Sequence, residues 1–267
     1  VAAFDHAQCV VAGAGGRDDR GGVDQQVTHP LGERVAVMLP DVIQMRLGHW
    51  GKFIGNQRRL YNAGIMACPE THVGPGWEAQ FATNHLGHFA LTHRLWRLLM
   101  GGSRVICVSS SGHHASPMRW DNVQFKRGYD KWLAYGQSKT ANALFALHVD
   151  HLGREEGIRA FSLHPGKIFT PLQRRLAQEE MVAAGWLDAS GAPADPTFKT
   201  PGQGAAATVW AATSAQLDGL GGLYCEDCDV APVAHEATFV GVRPYAVDPG
   251  EAERLWTLSC ALTDCRA

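Results

Sequence analysis

Apolar positions recur along this chain with two distinct periods. Arg104-Val-Ile-Cys-Val-Ser109 is a β-branched run behind Gly101-Gly102, and Ile158-Arg-Ala-Phe-Ser-Leu163 is a second that ends at Pro165-Gly166. Both are predicted to be buried strands. Between and around them the period becomes helical, through Leu91, Leu95, Leu98 and Leu99 in one segment and Ala141, Leu144, Phe145, His148 and Leu152 in another. Strands alternating with helices of this length predict βαβ units and a parallel sheet. Thr200-Pro201-Gly-Gln203 carries the residues of a capping box, with proline at the first helical position, and predicts a helix whose body is Ala205 to Ala212. Leu172 to Ala184 has an amphipathic period that stops at Gly185, and Ala189 to Pro196 is a loop of small residues. Together they predict a mobile cover over residues 171–200. No internal repeat or low-complexity tract marks a second domain.

The first sixty residues read differently. Val10-Val-Ala-Gly13-Ala-Gly15-Gly16 suits a strand running into a glycine turn, which is either an ordinary surface turn or the start of a phosphate cradle. The helix that a dinucleotide site needs next is missing, because Arg17-Asp-Asp-Arg-Gly-Gly22 has no apolar period. Arg34-Val-Ala-Val-Met-Leu39 is a further strand candidate, and Asp41 behind it is a candidate acid for a ribose hydroxyl.

Composition narrows the function. The 267 residues carry 24 Lys+Arg against 26 Asp+Glu, a formal charge of −2, which argues against nucleic-acid binding because phosphate affinity rests on surplus clustered cations. Apolar stretches are interrupted well before the roughly 18 residues that cross a bilayer, and no N-terminal signal pattern is present, so the expectation is a cytoplasmic protein without a membrane span. Seven cysteines, an odd number, suit reduced thiols. Cys225 and Cys228 lack two further soft ligands at matching spacing. The helically spaced pairs His85 with His88 and His148 with His151 lack a third ligand, so no metal is expected.

Tyr135-Gly-Gln-Ser-Lys139 places a phenol and an ammonium four residues apart on one helical face. Acid or base work by tyrosine at neutral pH requires a shift of about three units, roughly 4 kcal/mol. One cation about 4 Å away at an effective dielectric of about 20 supplies a comparable amount. Ser109-Ser110-Ser111 follows the Arg104 strand at its carboxyl end, where open α/β sheets place ligands. Asn84 sits in a helical segment that an amide does not favour, and Asn62-Ala63-Gly64 permits close backbone approach.

With Val108-Ser-Ser110, Asn84-His-Leu-Gly-His-Phe89, Ala134-Tyr-Gly-Gln-Ser-Lys139-Thr-Ala-Asn142 and His164-Pro-Gly166 with Thr170, these landmarks resemble the short-chain dehydrogenase/reductase family from about Leu60 to Ala231, and within it the retinol-dehydrogenase-like oxidoreductases. The resemblance implies a doubly wound, Rossmann-like α/β fold of one domain over residues 59–267, with residues 1–58 an atypical or incomplete N-terminal portion. It implies NAD or NADP as cofactor and hydride transfer with a small alcohol or carbonyl substrate, in a chain that commonly forms homo-oligomers. Carried over, Tyr135 is the acid/base and Ser110 holds the substrate oxygen, with Ser109 and Ser111 as alternatives. Lys139 lowers the tyrosine pKa and binds the nicotinamide ribose, and Asn84 holds a water for proton relay. Pro165, Gly166, Ile168 and Thr170 pack the nicotinamide and bond its carboxamide, while Asn62, Ala63 and Gly64 line the adenosine side. Trp120, Phe125, Tyr129 and Trp132, between Ser110 and Tyr135, are either local packing or the wall of an apolar substrate pocket.

The family's Thr-Gly-x-x-x-Gly-x-Gly motif is absent, and too few residues precede Asn62 for the usual first half of the sheet. Residues 1 to about 58 are therefore expected to be a truncated or out-of-frame translation, which reading the encoding DNA in its other frames tests. Two rivals follow. One is a catalytically dead binding protein of the same fold, and the other is a histidine-based metal hydrolase.

Overall fold

The computed structural model describes residues 57–235 and 239–265. The readings at Gly13–Gly16, Arg34–Leu39 and Asp41 lie outside the described residues. In chain order the strands are β1 (Gln57–Tyr61), β2 (His72–Val73), β3 (Trp77–Glu78), β4 (Ser103–Val108), β5 (Ile158–His164), β6 (Leu223–Glu226) and β7 (Asp229–Val230). The helices are α1 (Gly87–Leu99), α2 (Lys131–Gly153), α3 (Gln178–Ala183), α4 (Pro201–Thr213) and α5 (Pro249–Thr263). One sheet runs β1-β4-β5-β6-β7, parallel except for β7 at its edge, and β2 and β3 form a separate antiparallel ribbon.

The central strands are continuous apolar runs because both faces are covered. Val105, Cys107 and Ala160 point toward Phe89 and Leu99 of α1 and Phe145 and Val149 of α2. Ile106, Val108, Phe161 and Leu163 point the other way, against Ala211 and Trp210 of α4. Alternation along each strand thus builds two cores from one sheet, the layering of a Rossmann-like fold. α5 lies outside α2, packing Ala252 and Leu255 on Ala141, Leu144 and Phe81.

Local chemistry fixes the helix ends. Asp130 caps α2 by accepting from the backbone N–H of Trp132 and Leu133 at 2.9 and 2.8 Å. At its other end Gly153 runs so close to β5 that a Cβ would stand 2.6 Å from Ile158 Cβ. Asp150 staples the same end by accepting from Arg159 Nε at 2.9 Å, Arg159 Nη2 at 3.1 Å and Ala160 N at 3.0 Å. The predicted capping box is present at α4, where Thr200 and Gln203 bond reciprocally.

One expectation changes. The helix foreseen over Leu172 to Ala184 is only Gln178–Ala183, preceded by a 3₁₀ turn at Pro171–Gln173. Leu172 and Leu176 dock instead into a cluster with Met66, Ala67, Tyr135 and Trp132, and that tertiary contact overrides the helical period. The Cys225 to Cys228 stretch is a hairpin turn between β6 and β7, with Asp227 and Cys228 both at positive φ (50° and 61°), the conformation of a two-residue I′ loop. Among the described residues no group of three or more His, Cys, Asp and Glu converges as a metal site, and no helix is long and apolar enough to cross a membrane.

Candidate active site

The register Tyr61↔Cys107 and Cys107↔Ser162 aligns the carboxyl ends of β1, β4 and β5. The loops leaving them, Asn62–Gly64, Ser109–Ser110 and Pro165–Gly166, therefore open on one edge of the sheet, where α/β folds hold ligands. α2 begins beside that edge and supplies Tyr135 and Lys139, both buried.

Ser110 ends the strand run and caps the 3₁₀ turn Ser111–Ala115, its Oγ accepting from the Gly112 N–H at 3.0 Å. Its Oγ and the Tyr135 ring stand on either side of Gly112, close enough for the hydroxyl to lower the phenol's pKa. Gly112 makes this approach feasible, since a Cβ there would stand 2.7 Å from Tyr135 Cε1 and 3.3 Å from Ser110 Oγ. The Ser109 hydroxyl is committed elsewhere, and Ser111 is held through its backbone. Ser109 Oγ donates to the Lys139 carbonyl at 2.8 Å, and the Ser111 N–H donates to His164 Nδ1 at 3.1 Å. Of the three serines, Ser110 is the one whose Oγ lies beside Gly112 together with the Tyr135 ring.

Lys139 Nζ donates to the Val108 carbonyl at 3.0 Å and lies 5.6 Å from the centre of the Tyr135 ring. Asn142 Nδ2 donates to the same carbonyl at 3.0 Å and so steadies the lysine's anchor. Burial pulls the Lys139 amine down to about 8 and pushes the Tyr135 phenol up to about 12, with the Ser110 hydroxyl opposing that rise. The sequence reading had the lysine lowering the tyrosine. Burial of the phenol is the larger effect here, and the shift is upward.

Asn84 occupies a π-helical turn, Ala82–Leu86, that leads into α1. Its Oδ1 accepts from Ile65 N at 2.8 Å, and its Nδ2 donates to Ile65 O at 3.0 Å and Ser138 Oγ at 2.8 Å. Ser138 Oγ donates in turn to the Tyr135 carbonyl at 2.7 Å. The amide thus ties the loop after β1 to the start of α2. Gly64 permits this, because a Cβ there would stand 3.2 Å from Asn84 Oδ1. Asn62 is exposed and Ala63 half-buried at the same loop.

The β5 loop is organised by Lys199. Gly166, at φ 92°, lets the Lys199 side chain cross over its Cα, where a Cβ would be 2.6 Å from Lys199 Cδ. Lys199 ends on Asp227, and its backbone bridges Ile168. Pro165 and Ile168 frame Gly204 at the start of α4. Thr170 is exposed and its hydroxyl caps the turn Pro171–Gln173, accepting from Leu172 N at 3.2 Å.

The expected aromatic wall is differently composed. Trp120 donates to Glu251 at 2.7 Å beneath Arg254, Phe125 is buried against Tyr129, and the Tyr129 hydroxyl donates to the Cys68 carbonyl at 2.8 Å. Only Trp132 of that group joins the Tyr135 cluster, where Trp186 meets it edge-on at 6.3 Å. Trp186 also packs on Phe198, which stacks with Phe169 at 4.0 Å. His85 is buried with Nε2 on Ser259 Oγ at 2.7 Å, and His88 stacks on Tyr61.

Ser138, Gly112 and Asn142 were missed as site residues. Ser138 and Asn142 lie in the same Tyr-to-Asn stretch as Tyr135, and their spacing of three and seven from it was a usable signal for one face of α2.

No family model matches the chain. It is 41% identical over 211 residues to the short-chain dehydrogenase/reductase prx1 of Penicillium rubens, across 76% of this chain and 61% of that protein. It is 44% identical over 202 residues to a protein of Streptomyces lividans named "Probable oxidoreductase", across 73% of this chain and 68% of that one. The chain belongs to the short-chain dehydrogenase/reductase family. Retinol dehydrogenase 11 of Homo sapiens is 34% identical over 216 residues, covering 79% of this chain and 63% of the human protein. The short-chain dehydrogenase/reductase fold extends to a solved structure, that of an uncharacterized protein from Mycobacterium Paratuberculosis, with a TM-score of 0.57 at 32% identity over 78% of this chain and 67% of that one. This family member thus spans about three fifths of the length of the Penicillium and human relatives.

Proposed function

We propose that the chain carries the catalytic part of an NAD- or NADP-dependent oxidoreductase that interconverts an apolar alcohol and its carbonyl compound. The observation that carries the reading is the convergence of Ser110 Oγ and the Tyr135 ring on Gly112, with the buried Lys139 Nζ 5.6 Å from the ring centre, at the carboxyl edge of the sheet. Named relatives support the reaction class: the Penicillium protein is a short-chain dehydrogenase/reductase, and the human one a retinol dehydrogenase.

The donor set fits the ribose and nicotinamide half of the cofactor. Lys139 carries three N–H donors and gives one hydrogen bond, to Val108, leaving two for hydroxyls such as those of a ribose. The backbone of Pro165, Gly166 and Ile168, with the Thr170 turn, would border the nicotinamide, and Asn62, Ala63 and Gly64 the adenosine side. A bound nicotinamide supplies or accepts the hydride.

The chain's own residues handle the proton. A phenol held up at about 12 keeps its proton at neutral pH, so Tyr135 is set to donate to a carbonyl oxygen and, in reverse, to receive the alcohol proton. Ser110 Oγ already accepts from Gly112, which leaves its hydrogen free to aim at the same oxygen. Lys139, with its amine near 8, is mostly cationic at pH 7 and favours negative charge developing beside the phenol. Asn84 holds the two loops that frame these groups. Met66, Ala67, Trp132, Leu172, Leu176, Met181 and Trp186 surround Tyr135 with apolar surface, which favours a hydrophobic substrate and makes 171–200 its cover. The six cysteines of the described residues are free thiols, in keeping with a cytoplasmic setting.

Titration with NADH and with NADPH, followed by tryptophan fluorescence, tests the reading through Trp132 and Trp186. Saturable quenching is expected. Its absence at millimolar concentration of either cofactor overturns the enzyme and leaves a binding protein of the same fold.

A further inference from the structure

His113 lies three residues after Ser110 and is fully buried. Two of its hydrogens point at one acceptor: its backbone N–H donates to the Ser110 carbonyl at 3.0 Å, and its ring Nδ1 stands 2.6 Å from the same oxygen. On the far side of the ring, the Arg243 N–H donates to Nε2 at 3.1 Å. A backbone N–H can only donate, so Nε2 carries the lone pair and Nδ1 carries the hydrogen. The geometry therefore fixes one neutral tautomer. The His113 carbonyl accepts from the Tyr245 hydroxyl at 2.8 Å, so the segment just ahead of α5 grips this residue at both ring and backbone. His114 and Tyr224 close in on the ring, with centroids 4.3 and 5.0 Å away.

Ser110 is thereby held at two points. Its Oγ is fixed by the Gly112 N–H and its carbonyl by the His113 ring, and together these bonds set where the hydroxyl stands against Tyr135. We propose that His113 is a positioning residue for the reaction, its Nδ1–H holding the Ser110 carbonyl while its Nε2 anchors the serine's turn to the Arg243–Tyr245 segment, 130 residues further along the chain. This rests on the reading of Ser110 as the residue that holds the substrate oxygen. It adds that the C-terminal part of the chain, remote from every motif residue, sets the geometry of that serine. A displacement of about 1 Å at a reacting group lowers rate by up to about a hundredfold, so the link is large enough to matter.

Two substitutions in the full chain separate the two ends of the ring. His113→Asn keeps an amide N–H near the Nδ1 position but cannot reach Arg243. His113→Gln reaches toward Arg243 with its carbonyl oxygen but offers no donor at the Nδ1 position. With a reduced nicotinamide and an apolar aldehyde, His113→Gln is expected to lower kcat by about thirtyfold to a hundredfold with KM within about threefold. His113→Asn is expected to recover most of that loss, although both variants melt below wild type. Equal kcat losses that follow only the melting temperatures overturn the proposal, as does an unchanged kcat in His113→Gln. Imidazole nitrogen NMR on the wild-type chain, with His113 assigned by its missing signal in His113→Asn, is expected to show the Nδ1–H tautomer. An Nε2–H tautomer overturns the proposal without reference to turnover. If Ser110→Ala leaves turnover unchanged, the reading of the site fails instead, and the tautomer measurement still decides the hydrogen-bond geometry on its own.

Discussion

Gly112→Ala puts one methyl group between the two hydroxyl-bearing residues of the site. The new Cβ would stand 2.7 Å from Tyr135 Cε1, 2.9 Å from Cδ1 and 3.3 Å from Ser110 Oγ. Carbon atoms in contact prefer about 3.5–4.0 Å, so the ring has to retreat by about 1 Å. Its retreat is opposed by Met66, Ala67, Trp132 and Leu176 packed on it. The backbone itself accepts alanine, because Gly112 is not among the positive-φ residues. Overpacking of this kind costs about 1–3 kcal/mol, offset by about 0.4–1 kcal/mol from the stiffer unfolded chain. The net loss of stability is therefore small, while a phenol moved by about 1 Å relative to the serine hydroxyl lowers kcat by about a hundredfold. Steady-state reduction of an apolar aldehyde, with melting temperature measured alongside, separates the two effects. Gly202→Ala is the control: it lies in the first turn of α4 with nothing within 4 Å of a new Cβ, and it leaves kcat unchanged. A Gly112→Ala protein with wild-type kcat refutes the placement of phenol and serine hydroxyl on either side of this glycine.

Acid should unfold the protein early. Burial holds His85 and His113 down at about 3 and His88 and His164 at about 4, all below the ordinary value of 6.5. Below 6.5 the unfolded chain takes up these protons first, so stability is full above that pH and is lost as pH falls toward the folded values. Four groups remove about 5 kcal/mol per pH unit, against a total of about 5–15 kcal/mol for a domain, so circular dichroism should show acid unfolding with a midpoint between about pH 5.5 and 4. Native ellipticity retained at pH 4 contradicts the burial of these rings. Asp150→Ala removes the acceptor of Arg159 Nε and Nη2 and of the Ala160 N–H at the junction of α2 and β5, leaving the guanidinium its bond to the Gly219 carbonyl. Urea unfolding should show a loss of about 3 kcal/mol at unchanged m value, and a loss under 1 kcal/mol would remove the staple from the account.

What the sequence disclosed was whatever rests on periodicity or on local chemistry. Val105 to Val108 and Ile158 to Leu163 are apolar on both faces and show as strands without reference to neighbours. Thr200 and Gln203 cap α4 by a rule confined to four residues. Tyr135 and Lys139 share a face of α2 by helix geometry alone. The strand Gln57–Tyr61 was hidden because Gln57, Arg58 and Arg59 present long polar side chains, and only its register with β4 makes it a strand. Leu172 and Leu176 suited a helix until Tyr135 and Met66 offered them a better surface. The direction of the Tyr135 shift was hidden for a related reason, since spacing gives the approach of the lysine but not the burial of both groups. His113 has no period at all, and its role depends on Arg243 and Tyr245, which only the fold brings near.

The central claim is that the Tyr135 phenol moves the proton while Ser110 holds the oxygen and Lys139 supplies the charge. Tyr135→Phe removes that one hydroxyl and leaves the ring, with its packing on Met66, Trp132 and Leu176, in place. The direct measurement is the single-turnover loss of reduced-nicotinamide absorbance with an apolar aldehyde, wild type against Tyr135→Phe, each first shown to bind the cofactor. General acid catalysis is worth about a hundredfold to ten-thousandfold, so the variant should bind as wild type does and react slower by at least the lower figure. Matching rates in the two proteins would contradict the account.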